Sequence, residues 1–197
     1  MATLPIVSLK LRRIVLTGTN EILNFFIAAF NYLAPFSNQL FNNSSSYATL
    51  LSMGAAGSIL GAIMANKLFR NSYNSILIAL ALCGAGLAVI TLFAMLKLPA
   101  IVIVSGNLIF EFFLTIFNIH FFSMVQKKVP NHMLGRVFSS IFTVAIIFMP
   151  LSTAIMTALP FSISIYTFAV IGFGILLVSA CAFFYSKFKL DIMAGEE

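Results

Sequence analysis

The sequence predicts an all-α membrane protein, with six transmembrane helices arranged as a 3+3 inverted repeat. Three observations lead there. Of 197 residues, 61% are hydrophobic and 8% charged, with a mean hydropathy of +1.07. A soluble domain is about 25% charged, so this chain has too few charges to cover a water-facing surface. Its apolar residues fall into six long runs, and the Lys and Arg residues cluster at every second junction between those runs. A run of about 20 apolar residues rising 1.5 Å each crosses the roughly 30 Å of bilayer hydrocarbon.

The spans are expected at 14–36, 47–66, 74–96, 100–124, 137–159 and 161–186. The first run is too long for a signal-peptide core and lacks a small-residue cleavage site before a soluble domain. A polar loop, 37–46, follows it. The second span ends at Lys67 and Arg70, and the third at the short turn Lys97, Leu98 and Pro99. Pro35 ends or kinks the first span, and Pro150 falls inside the fifth. Membrane helices tolerate proline where a neighbour or water satisfies the freed carbonyl. Segment 1–13 reads as a cytoplasmic lead-in, 14–189 as the transmembrane domain with repeats at 14–96 and 100–186, and 190–197 as a polar cytoplasmic tail.

Orientation follows from the basic residues. With the N-terminus in the cytoplasm, Lys10, Arg12, Arg13, Lys67, Arg70, Lys127, Lys128, Arg136, Lys187 and Lys189 share the cytoplasmic side, and Lys97 alone lies opposite. Both termini are then cytoplasmic. The net charge of +6 is accounted for by these helix ends, so no nucleic-acid partner is expected; the partner is the lipid bilayer. Cys83 and Cys181 lie in different runs without metal-ligand spacing and are expected to be buried free thiols.

The second span carries Gly54, Ser58, Gly61 and Ala65 on one face. Small residues at this spacing let helix backbones approach closely, for plain packing or for gating. Two spans carry polar stripes. In the first, Thr17, Glu21, Asn24, Asn31 and Asn38 recur at helical intervals; in the fourth, Asn107, Glu111, Thr115 and Asn118 do. A polar stripe facing lipid costs too much, so each faces protein or a water-filled cavity. Interhelical hydrogen bonding and a cavity lining are both open, and the equivalent places of the two acids favour the lining. Glu21 lies roughly 10 Å, and Glu111 roughly 20 Å, from the cytoplasmic end of its span. A carboxylate at that depth suits a proton or a cationic substrate. His120, on another face, reads as an interfacial residue. No metal cluster, Ser/Lys pair or paired aspartates sit at membrane depth, so neither enzyme chemistry nor a metal or cofactor is expected.

The first and fourth spans each open a triplet, and the second triplet starts from the opposite side, the pattern of an inverted repeat. Segment 125–139, with Gln126, Val129-Pro130 and Gly135-Arg136-Val137-Phe138-Ser139, resembles the loop between the tenth and eleventh helices of the major facilitator superfamily. It looks most like the macrolide-efflux type of drug exporter. Gly57-Ser58-Ile59-Leu60-Gly61 through Lys67 and Arg70 resembles the second copy of that superfamily's cytoplasmic Gly…Arg motif, without its acid.

The resemblance implies the C-terminal half of a twelve-helix transporter. The six spans would be its seventh to twelfth helices, with the first and fourth lining the central cavity. It implies export of hydrophobic or cationic drug-like compounds from the cell across the plasma membrane by proton-coupled alternating access. Glu111, Asn107, Thr115, Asn118, Glu21, Asn24 and Asn31 would face substrate or proton; Gln126, Pro130, Gly135, Arg136, Gly61, Lys67 and Arg70 would belong to gating loops. Arg136 reads equally as a positive-inside anchor. The partner would be an N-terminal six-helix half or a second half-transporter chain. A non-transporting six-helix scaffold, or an inactive transporter fragment, is the alternative.

Overall fold

The computed structural model describes residues 45–69, 72–158 and 166–194. The first span, its stripe from Thr17 to Asn38, Arg70 and the lead-in lie outside the described residues. Five helices form the described chain: α1 (Ser45–Leu68), α2 (Tyr73–Met95), α3 (Ala100–Lys128), α4 (Asn131–Ala158) and α5 (Tyr166–Ala194). There is no strand among the described residues. All five helices contain a stretch long and apolar enough to cross a membrane.

The breaks between helices have local causes. Ser72 caps α2: its backbone is extended and its Oγ accepts the Ser75 N–H at 3.2 Å, satisfying one of the orphan donors of a helix start. At the other end Lys97 takes a left-handed φ of 53°. The Leu98 N–H then reaches the Phe93 carbonyl at 3.1 Å, and the Lys97 N–H the Ala94 carbonyl at 3.0 Å. This is the Schellman arrangement, in which reversal of the chain satisfies the last carbonyls. Pro99 opens α3, its carbonyl accepting from Val102 at 2.9 Å.

The segment expected to be a loop, 125–136, is mostly helix. α3 continues to Lys128, and α4 begins at Asn131. Pro130 sets the break, because the residue before a proline avoids the helical region; Val129 is extended, at φ −101° and ψ 130°. Gln126 thus lies in the last turn of α3, Pro130 sits in the two-residue link, and Gly135 and Arg136 lie in the first turns of α4. Falling hydropathy here marks the membrane edge and not a helix end, since a helix satisfies its own backbone in either medium. The tail differs similarly: α5 runs on to Ala194. Pro150 stands inside α4 as read.

Packing follows the small residues. α3 lies between α1 and α2, and α2 packs on α5. α1 and α3 run parallel: Leu50 meets Asn107, Gly61 meets Phe112, and Ala65 meets His120. A Cβ on Gly57 would run into the Leu108 carbonyl, and one on Gly61 would stand 2.5 Å from the Phe112 carbonyl oxygen. α2 and α5 cross antiparallel, with a Cβ on Gly84 falling 2.7 Å from the Gly172 carbonyl oxygen. Ser179 donates to the Leu77 carbonyl at 2.8 Å and Tyr73 to that of Ala182 at 3.4 Å. Phe110, Phe117 and Phe121 of α3 form the core with Ile76, Leu80, Leu87 and Ile90 of α2. α4 meets α3 through Phe138 and Phe142, whose rings lie 5.7 and 5.8 Å from that of Phe122.

These directions gather the basic residues. Lys67, Lys127 and Lys128 close the parallel helices α1 and α3 at one end, and Lys97 lies at the other. On a Cys181→Ser background, cysteines at positions 97 and 127 are therefore expected to react with a membrane-impermeant maleimide from opposite faces of the membrane. Labelling of both from one face would contradict the arrangement.

Cys83 is buried, but Cys181 is exposed, correcting the expectation that both thiols are covered. Among the described residues α5 packs chiefly on α2, and position 181 lies off that face. The folded protein in detergent should consume one equivalent of N-ethylmaleimide, and the denatured protein two. Consumption of two equivalents before unfolding would refute the burial of Cys83.

Candidate functional site

The polar stripe of α3 meets the small-residue face of α1. Asn107 is 2% exposed, and its Nδ2 donates to the Leu50 carbonyl at 2.8 Å. One turn on, the half-buried carboxylate of Glu111 accepts a hydrogen bond from Ser58 Oγ at 3.1 Å. Gly54 makes room for both. A Cβ there would stand 2.9 Å from Asn107 Nδ2 and 3.2 Å from Glu111 Cγ. The pairing has a simple register: Gly54 and Ser58, four apart on α1, lie against Asn107 and Glu111, four apart on α3. Residues at that spacing share a helix face.

The surroundings are poor in charge. Among the described residues Glu111 has no ion-pair partner, and Lys67, Lys97, Lys127 and Lys128 lie at helix ends. From α2, the buried Cys83 lies within electrostatic reach of Glu111. A carboxylate held at membrane depth away from cationic side chains can take a proton or attract a mobile cation. Among the described residues no group of three or more His, Cys, Asp or Glu could hold a metal ion.

Thr115 and Asn118 continue the α3 stripe and are half-buried. Glu21, Asn24 and Asn31, expected to face them, lie outside the described residues. Asn107 is buried between the helices, and its Nδ2 is engaged with α1, as the interhelical reading expects. Glu111 keeps partial access.

His120 departs from its reading as an interfacial residue. It is 1% exposed, with Nε2 3.1 Å from the Ala65 carbonyl. A carbonyl only accepts, so Nε2 carries the proton. Ala65 is small enough to admit the ring, and its carbonyl also accepts the longer 3.3 Å bond from the Phe69 N–H at the end of α1. Both Ser58 and His120 thus join α3 to α1. Ser58 was legible as part of the small face; its role as the carboxylate's donor depends on the register of the helix crossing.

Of the expected gating residues, Gly61 lies inside α1 against the Phe112 backbone, where it serves helix approach. Gln126, Lys67, Pro130, Gly135 and Arg136 are exposed, and nothing lies within 4 Å of a Cβ built on Gly135. Arg70 lies outside the described residues. No protein-family model, curated protein or solved structure matches the chain.

Proposed function

We propose that the chain is the C-terminal half of a secondary active transporter of the major facilitator superfamily, closest to the macrolide-efflux type. In this reading its six transmembrane helices form a 3+3 inverted repeat, and it pairs with another six-helix half. It exports hydrophobic or cationic drug-like compounds from the cell across the plasma membrane as a proton-driven antiporter, with both termini cytoplasmic. It is not an enzyme and needs no cofactor. The halves rock about a midplane site, where Glu111 takes up and gives back the coupling proton while Thr115, Asn118, Glu21, Asn24 and Asn31 face substrate. Gln126, Pro130, Gly135, Arg136, Lys67 and Arg70 bear on the cytoplasmic gate.

The observation that carries this reading is the carboxylate of Glu111, at mid-helix depth with only the Ser58 hydroxyl as its hydrogen-bond partner among the described residues. A half-buried acid in the middle of a membrane helix is retained at a cost that structure alone does not repay. The parallel run of α1 and α3, with their basic ends together, supports the topology. The test is export of tetraphenylphosphonium from membrane vesicles containing the protein. Export should require an imposed proton gradient and stop when a protonophore dissipates it; export indifferent to the gradient would remove the proton from the mechanism.

In a second reading, a non-transporting membrane scaffold, the exposed apolar face of α4 with Phe142, Ile146 and Ile147 packs on another protein instead of lipid. Stable self-association without substrate binding would support it over transport.

A further inference from the structure

Among the described residues, one buried side-chain nitrogen or oxygen has no hydrogen-bond partner: Asn107 Oδ1. Its orientation is fixed by chemistry. The Nδ2 end donates to the Leu50 carbonyl at 2.8 Å, and exchanging the amide's ends would set two acceptors against each other. Oδ1 therefore points away from Leu50 and has no donor. A buried acceptor left in this state is costly, the more so where water is excluded.

The acid one turn on supplies what is missing. Asn107 and Glu111 converge on Gly54, whose Cβ, were there one, would touch both side chains. Ionised, Glu111 offers only acceptors and can do nothing for Oδ1. Protonated, it gains one O–H donor. Ser58 occupies Oε2, at 3.1 Å, which leaves Oε1 for that proton. No other titratable group competes among the described residues. From α1, Tyr47 is exposed in the first turn and Lys67 is at the far end; from α2, Tyr73 donates to the Ala182 carbonyl and Cys83 is a buried thiol; on α3, His120 is engaged with the Ala65 carbonyl; on α4, His132 and Arg136 are exposed in the first turns.

We propose that the proton bound at Glu111 is held as a hydrogen bond from its carboxyl O–H to Asn107 Oδ1, with Ser58 Oγ donating to the other carboxyl oxygen. This rests on the reading of Glu111 as the proton carrier and adds Asn107 as its positioning residue. The proton arrives from the aqueous phase and leaves to it. On departure the carboxylate keeps Ser58, and Asn107 Oδ1 loses its donor while Nδ2 stays on the Leu50 carbonyl. The two protonation states therefore differ in whether Asn107 Oδ1 has a donor, while the bonds from Asn107 to Leu50 and from Ser58 to Glu111 join α1 and α3 in both.

The test is infrared difference spectroscopy of the full chain in lipid bilayers across an acid–base step. The carboxylic C=O band of Glu111 is assigned by its loss in Glu111→Gln. In Asn107→Leu that band should move to higher wavenumber, as for a carboxyl that has lost its acceptor, and Asn107→Gln, which displaces the acceptor by one methylene, should move it the same way if the leucine variant does not fold. A Glu111 band that neither variant moves would overturn the role of Asn107 and leave the proton site standing. Absence of any band sensitive to Glu111→Gln, or a carboxylate band that responds instead to exchange of sodium for potassium, would overturn the proton reading itself.

Discussion

Gly57→Leu is expected to separate α1 from α3 and to unfold the bundle. The side chain added at Gly57 would meet the Leu108 carbonyl, a backbone atom with no rotamer to yield. Overpacking typically costs about 1–3 kcal/mol, and here the upper end applies because Gly61, one turn on, is equally close to the Phe112 carbonyl. Both helices would have to move apart together. The hydrogen bonds from Asn107 to Leu50 and from Ser58 to Glu111 depend on that closeness and would be lost with it. A drop of about 3 kcal/mol in unfolding free energy, measured by denaturation in mixed detergent micelles, is the expected result. Gly135→Ala is the control: it meets nothing within 4 Å and should leave stability the same or raise it by up to about 1 kcal/mol, as Ala favours a helix over Gly. Equal stability of Gly57→Leu and the wild type would mean that α1 and α3 do not cross at this point.

Glu111→Gln is expected to remove gradient-driven export while leaving the fold in place. The substitution keeps the shape of the side chain. Its carbonyl can still accept from Ser58 Oγ, and its NH₂ can still donate to Asn107 Oδ1. What it removes is the ability to bind and release a proton. A carrier that interacts equally with both protonation conditions has no means of being driven by them. Export by the variant should therefore fall to the level seen without a gradient, with an unfolding midpoint close to that of the wild type. A variant that is inactive because it is unfolded would show itself in the second measurement.

Much of this arrangement was legible in the residues. Apolar run length and the Lys residues at the run ends give α1, α2 and α3 nearly their observed bounds, because a backbone in lipid must close its own hydrogen bonds. The face of Gly54, Gly61 and Ala65 was legible as a close-packing face, and Asn107 with Glu111 as a stripe. Other features were not. The break at Val129 and Pro130 was hidden by polar residues that mark the membrane edge as readily as a loop. The burial of His120 against Ala65, and the bond from Ser58 to Glu111, depend on the register between two helices separated by more than 50 residues, as the sequence separations of 55 and 53 show. No local spacing encodes that register. Cys181 lies in an apolar run like Cys83, and hydropathy alone does not say which side of a lipid-facing helix a thiol occupies.

The central claim is that Glu111 exchanges a proton against substrate, and proton release on substrate binding measures it most directly. Tetraphenylphosphonium is added to the purified protein in weakly buffered detergent solution, with a pH-sensitive dye as the reporter. Wild-type protein should release protons as the cation binds, and Glu111→Gln should bind it without release. Equal release from both proteins would contradict the claim.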